Sequence, residues 1–263
     1  MQPVRPKKAL GQHFLTDQSV ARAIVDALTR PADPAAGRVD VLEVGPGTGV
    51  LTQYLLQDPA VALKVVEIDT ESVRYLLAHY PKLAPSLYEA DFLKMDLDRI
   101  FPGPFSVIGN FPYNISSQIF FKVLDFRGKV PEVVCMVQKE VAERLAAPPG
   151  SKTYGILSVL LQAWYDIEYL FTVGSGCFAP PPKVESAVIR LTRNTRTELG
   201  CDEALFKTVV KTAFGQRRKM MRNPLKPLAI ARGKADVLSE DIFSQRPEQL
   251  SVEDFVALTN LLD

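Results

Sequence analysis

An α/β fold built on a mostly parallel, doubly wound sheet, with a small all-helical C-terminal domain after it, is what this sequence predicts. Three observations carry the prediction. First, Val39, Val41, Leu42 and Val44 form an apolar run that meets Gly45, Gly47 and Gly49. That is a buried strand turning tightly into a helix, the opening unit of such a sheet. Second, short apolar runs alternate with stretches of helical period as far as residue 191. Third, around residues 192–200 the composition turns polar without an apolar pattern, and only helical periods follow. The chain therefore divides into a domain at 1–194, with a basic N-terminal arm, and a helical domain at 195–263.

Taken in order, residues 17–30 form a helix with Val20, Ile24, Val25 and Leu28 on one face, Thr16 as N-cap, and Pro31 and Pro34 ending it. The strand at 39–44 and its glycine turn continue into a helix at 50–57. Residues 63–67 are a strand ending at Glu67, and 71–79 a helix stopped by Pro81. A short strand at 86–90 ends at Asp91. The strand at 105–109 runs directly into Asn110-Phe111-Pro112-Tyr113. A helix at 116–124, a strand at 133–137 and a helix at 139–146 follow, the last ended by Pro148-Pro149-Gly150. Residues 154–164 are apolar and helical, with Trp164 beside Leu160 and Leu161 as core. Runs at 167–173 and 184–191 alternate like paired antiparallel strands. The C-terminal helices fall at 203–214, 220–228, 234–238 and 252–262.

At 263 residues, 47% hydrophobic and 23% charged, the composition is that of an ordinary globular protein. No apolar run approaches the roughly 18 residues of a membrane span, and the basic N-terminus lacks the apolar stretch of a signal peptide. Cys135, Cys177 and Cys201 are odd in number and in no metal-ligand spacing, so they read as reduced thiols of a cytoplasmic protein. With only His13 and His79, a histidine-based metal site is not expected. The net charge of +1 hides a segregation. Residues 207–234 hold nine basic and no acidic side chains, and residues 1–16 add Arg5, Lys7 and Lys8, again without an acid. Such blocks point to a polyanionic partner; the plain alternative is a solvated helix face, although such faces usually mix signs.

The glycine spacing is G-x-G-x-G. It departs from the G-x-G-x-x-G whose backbone N–H groups cradle a pyrophosphate. Glu43, just before it, repels phosphate and favours a ligand with cationic groups. S-adenosylmethionine has an ammonium, a sulfonium and no phosphate. Glu67, about 20 residues on, is placed to accept hydrogen bonds from ribose hydroxyls. Asp91 can accept the adenine amino group of such a cofactor, or simply cap the turn after its strand. Gly45 and Gly47 alone would fit any tight strand–helix turn.

Asn110-Phe111-Pro112-Tyr113 carries the most chemistry. The exocyclic amine of a base is a poor nucleophile, because its lone pair is delocalised into the ring. Two acceptors holding its N–H groups can turn that lone pair toward an electrophile. The Asn110 carbonyl oxygen and a backbone carbonyl beside Pro112 supply them, and the proline fixes the turn. Tyr113 offers a π face for stacking. A sulfonium methyl is already activated, so no strong base is needed and catalysis is alignment plus electrostatics. The plain alternative is a turn. Phe178, on a loop stiffened by Pro180, Pro181 and Pro182, is placed to be the second wall of a base slot or a plug under the loop. In an RNA reading, Arg217, Arg218, Lys219 and Arg222 face phosphates.

These stretches together resemble the small-subunit ribosomal RNA adenine dimethyltransferases, the kasugamycin-resistance methyltransferases. The matching runs are 8–15 (KALGQHFL), 43–47 (EVGPG), 110–116 (NFPYNIS), 138–141 (QKEV), 178–184 (FAPPPKV) and 214–219 (FGQRRK), in the family's order along almost the whole chain. The resemblance implies a Rossmann-like class I methyltransferase. It implies transfer of two methyls from S-adenosylmethionine to N6 of each of two adjacent adenosines, in the 3′-terminal hairpin loop of small-subunit rRNA. The substrate would be an assembling ribosomal subunit and the enzyme a monomer. His13, Leu15, Gly45, Glu67, Asp91 and Asn110, with Gly47 in the same turn, would contact the cofactor. Asn110, Pro112, Tyr113 and Phe178 would hold the target base. The sequence departs from the common pattern with His13 for Asn, Thr48 for Leu and Phe111 for Leu. Two other readings share the motifs: a large-subunit rRNA adenine methyltransferase conferring antibiotic resistance, and a non-catalytic nucleic-acid-binding assembly or transcription factor.

Overall fold

In the computed structural model, which describes residues 4–7, 10–31 and 37–263, regular structure begins with a two-residue strand, β1 (Phe14–Leu15). Helix α1 (Gln18–Asp26) follows, and its N-cap is Asp17 rather than Thr16. The Asp17 carboxylate accepts from the N–H groups of Ser19 and Val20 at 2.9 and 3.1 Å. A carboxylate capping two donors at the positive end of a helix stabilises it by about 1 kcal/mol. Thr16 instead gives its N–H to the Cys177 carbonyl at 2.8 Å. The helix closes at Asp26, short of the expected Arg30, because Arg30 folds back onto the carbonyls of Val25 and Leu28 and pairs with Asp58. Lys8, part of the expected basic arm, and Pro34, expected to end this helix, lie outside the described residues.

The alternation then runs β2 (Val39–Val44), α2 (Thr52–Leu55), β3 (Val61–Glu67), α3 (Thr70–His79), β4 (Leu87–Glu89), α4 (Leu97–Ile100), β5 (Ser106–Asn110), α5 (Ser116–Asp125), β6 (Glu132–Gln138), α6 (Lys139–Ala146) and α7 (Ile156–Gln162). Strands β7 (Tyr165–Val173), β8 (Phe178–Ala179) and β9 (Ser186–Arg193) complete the β structure. Seven strands form one sheet in the order β4-β3-β2-β5-β6-β9-β7. From β4 to β6 neighbours run parallel, and β9 lies antiparallel to β6. The parallel strands are covered on both faces, which is why Val41, Leu42, Val65, Val107, Ile108, Val133 and Val134 are all buried. Each such side chain withdrawn from water contributes about 1.5–3 kcal/mol. Ile24 and Val25 from α1, with Leu28 just after it, pack in the same cluster as Val41, Ile108 and Val134. The N-terminal arm adds a second, two-stranded sheet, in which β1 pairs antiparallel with β8.

The chain forms two compact units, residues 1–142 with 167–193, and residues 143–166 with 194–263. Residues 143–166, assigned from sequence to the first domain, thus pack with the C-terminal helices. Within the second unit, α8 (Glu203–Gly215), α9 (Arg222–Ala231) and α10 (Val252–Leu262) bury Phe206, Val209, Leu225, Phe255 and Leu258. Asp202 caps α8, and Ser251 with Asp254 forms a capping box on α10. The helix expected at 234–238 is a 3-10 turn, Ala235–Ser239. No helix among the described residues is long and apolar enough to cross a membrane.

Candidate active site

Chain direction decides where the pocket opens. From β2 the chain moves outward through β3 to β4, then crosses back to place β5 on the other side of β2. Carboxyl ends of strands that diverge in this way leave a crevice between their loops. The turn after β2, residues 66–68 at the end of β3, 90–93 after β4 and 110–115 from the last residue of β5 onward line that crevice, and arm residues 10–15 complete the wall.

The turn after β2 needs its glycines. Gly45 and Gly47 have φ of +68° and +57°, which side chains with a Cβ rarely adopt. A Cβ on Gly47 would also meet the Phe14 ring at 2.9 Å. The Gly47 N–H donates to Oε2 of Glu67 at 3.1 Å, while the N–H groups of Ile68 and Asp69 donate to its Oε1, each at 2.9 Å. Burial pushes the Glu67 pKa above the ordinary carboxylate range, and these three backbone donors pull against it. Oε2, holding a single backbone donor, keeps acceptor capacity for a ligand hydroxyl.

Glu43 is oriented differently from the sequence expectation. It borders the crevice but is 1% exposed, and its carboxyl accepts the Thr52 hydroxyl of α2 at 2.7 Å. Burial, helped by the nearby Glu67 charge, pushes its pKa up to about 8. Burial thus favours the protonated form of Glu43, and its carboxyl is engaged by Thr52 at the edge of the crevice. Asp91 caps the turn after its strand, as one of its two readings has it. It lines the crevice, and its Oδ1 caps the following turn by accepting from the Leu93 N–H at 3.0 Å.

Asn110 ends β5, and its Nδ2 donates to the main-chain carbonyl of His13 at 3.0 Å. A carbonyl can only accept, so this bond fixes the amide orientation and leaves Oδ1 without a protein partner among the described residues. Pro112 and Tyr113 follow in the same wall. The Tyr113 hydroxyl is hydrogen-bonded to Ser186, which is fully buried at the start of β9. Burial raises the phenol pKa, and the Ser186 bond opposes it.

Phe178 is not brought into this wall. Its ring is 4% exposed in the core with Leu15, Met136, Val173 and Val188. The β1–β8 ladder, which pairs Leu15 with Phe178, turns it inward. Leu15, buried in the same cluster, still borders the crevice.

Two features have no local sequence signal. The Lys7 ammonium contacts Asp69, whose side chain is 1% exposed, and lies 3.7 Å from Glu71. Gln12 donates to the same Asp69 at 3.4 Å. Asp69 in turn donates its N–H to Glu67, so the arm is latched to the acid that faces the crevice. The β1–β8 ladder anchors the other end of the arm. In the second unit, Arg217 is partly buried and donates to the carbonyls of Ser151 and Lys152, whereas Arg218, Lys219 and Arg222 are exposed.

Among the described residues lining the crevice none is Lys or Arg, while Glu67, Asp91 and Asn110 Oδ1 present acceptors. That set fits hydroxyls, amino groups and positive charge, and repels nucleotide phosphates. Together with the sheet order, it defines a class I S-adenosylmethionine-dependent methyltransferase. The chain matches the ribosomal RNA adenine dimethylase family over residues 4–263 and belongs to that family. A relative from Parabacteroides distasonis named ribosomal RNA small subunit methyltransferase A is 61% identical, covering 98% of this chain and 94% of its own. A namesake from Bacteroides thetaiotaomicron is 59% identical, covering 100% and 96%. Among solved structures, a dimethyladenosine transferase from Plasmodium falciparum aligns with a TM-score of 0.76 at 25% identity, covering 94% of this chain and 96% of its own. The 23S rRNA methyltransferase ErmE aligns at 0.67, also 25% identical, covering 94% and 99%.

Proposed function

We propose that this enzyme dimethylates N6 of two adjacent adenosines in the 3′-terminal hairpin loop of small-subunit rRNA. In this reading it acts as a cytoplasmic monomer on an assembling ribosomal subunit. The observation that carries the reading is the fixed Asn110 amide: its oxygen is left as an acceptor at the mouth of an acid-lined crevice. Family membership over the whole chain supports it. The identity of about 60% to small-subunit enzymes, against 25% to the 23S enzyme, favours the small subunit over the large.

When bound, S-adenosylmethionine supplies an activated methyl group. His13, through its backbone, would hold it with Leu15, Gly45, Gly47, Glu67, Asp91 and Asn110. Glu67 offers Oε2 to the ribose hydroxyls, and Asp91 offers to the adenine amine its Oδ2, which also lies 3.6 Å from the Lys94 ammonium. On the acceptor side, Asn110 Oδ1 and the backbone carbonyl before Pro112 take the two N–H groups of the target amine, turning its lone pair out of conjugation. Tyr113 stacks on the base. The target base must leave its stack to reach this position, which is least costly in an unpaired loop. Phe178 could contribute as a second wall only after leaving the core. Arg217, Arg218, Lys219 and Arg222 supply phosphate contacts. The test is labelled-methyl transfer to immature small subunits, followed by mass analysis of the digested nucleosides. N6,N6-dimethyladenosine from the small-subunit RNA is expected; its appearance in large-subunit RNA alone, or no transfer, would overturn the reading.

A further inference from the structure

The base slot expected between Tyr113 and Phe178 has a different second ring. Phe178 lies in the core, and the aromatic side chain against Tyr113 is His13, with ring centroids 5.5 Å apart and planes inclined by 26°. A base between two rings needs a stacking distance of about 3.5 Å on each side, so this gap is closed. The imidazole is also pinned. Its Nδ1 lies 2.9 Å from the Pro180 carbonyl, which can only accept, so Nδ1 carries the proton. The next two residues, Phe14 and Leu15, are locked in the ladder with Ala179 and Phe178. The Tyr113 hydroxyl is held by buried Ser186. The phenol is thus fixed at its oxygen and along one face, and its opposite face is the one left for a ligand.

We infer that His13 is a positioning residue for the target base: its imidazole backs Tyr113, so that the other face of the phenol is presented without ring motion. This rests on the adenine-methylating role proposed above. It gives the ring of His13 a task beside that of bordering the crevice, which the residue also lines. Asn at this position could keep a bond to Pro180 but has no ring to stack; Phe could stack but not donate. An aromatic pair of this kind corresponds to roughly three- to tenfold in an equilibrium or a rate.

The experiment compares the wild type with His13→Asn and His13→Phe, each checked for cooperative melting. One readout is the fluorine resonance of Tyr113 in protein carrying 3-fluorotyrosine, assigned with Tyr113→Phe. The other is the kinetics of methyl transfer to immature small subunits. His13→Asn should shift and narrow the Tyr113 resonance and lower kcat, read at saturating S-adenosylmethionine, about three- to tenfold. His13→Phe should restore both the resonance and kcat. An unchanged resonance in His13→Asn overturns the contact. A shifted resonance with unchanged kcat overturns the positioning role. Absence of transfer by the wild type would instead overturn the proposed function, and the fluorine signal would still decide whether His13 backs Tyr113.

Discussion

Replacing Glu43 by Gln should change how stability depends on pH. Glu43 is buried against Thr52, and its pKa is raised from an ordinary 4.5 to about 8. Between those values the folded protein keeps a proton on Glu43 that the unfolded chain has released. The folded state then binds more protons, so stability falls as pH rises through this window. The slope is about 1.4 kcal/mol per pH unit while the native group stays protonated. Between about pH 5 and 7.5 the wild type should therefore lose up to roughly 3 kcal/mol that the variant keeps. Gln is neutral throughout and offers Thr52 the same acceptor, so its stability should not carry this component. The assay is thermal melting of both proteins across that range. At about 2–4 °C per kcal/mol, the difference between their melting temperatures should change by roughly 6–12 °C. Parallel curves, separated by a constant amount at every pH, would show that Glu43 is ionised in the folded protein and would refute the argument.

Three further outcomes are expected. Asn110→Ala should lower methyl transfer at least about 100-fold while leaving the melting temperature near wild type, since it removes an aligned acceptor rather than core; normal turnover in labelled-methyl assays would contradict the role given to Oδ1. Lys7→Met should speed dissociation of S-adenosylmethionine in stopped-flow displacement, because it leaves Asp69 without its cation and unlatches the arm; an unchanged rate would mean that the arm does not control exit. Changing Arg218, Lys219 and Arg222 together to Gln should weaken RNA binding and flatten its salt dependence, by about 0.7–0.9 in log–log slope for each phosphate no longer neutralised. Filter binding at several salt concentrations measures it, and an unaltered slope would place the phosphate-binding cations elsewhere.

The parts of the site that were legible in the sequence are those set by neighbours along the chain. The glycine turn, Glu67 at a strand end and Asn110 at the next each announce themselves within a few residues, and all line the same crevice. What was hidden depends on distant partners. Nothing near Phe14 signals that it pairs with Ala179, so the sequence left open whether Phe178 walls a slot or plugs the loop, and the ladder decides for the plug. The partner of Glu43 was hidden as well, because Thr52, beyond the glycine turn, holds its carboxyl in a place water does not reach. Thr16 and Asp17 are both good caps, and the choice between them was made by the Cys177 carbonyl, which claims the Thr16 N–H. The packing of residues 143–166 with the C-terminal helices was likewise invisible, because apolar helices look alike whichever core they join.

The short ladder between β1 and β8 splices the arm that borders the crevice to the proline loop. On one side of it runs the segment crossing the donor crevice; on the other hangs the proline loop that anchors His13 beside the phenol. Main-chain bonds are stiff, so neither side can swing far without dragging its neighbour. In the proposed reaction, a lesion confined to that two-residue splice should therefore disturb renewal of the spent donor and the grip on the nucleobase at once.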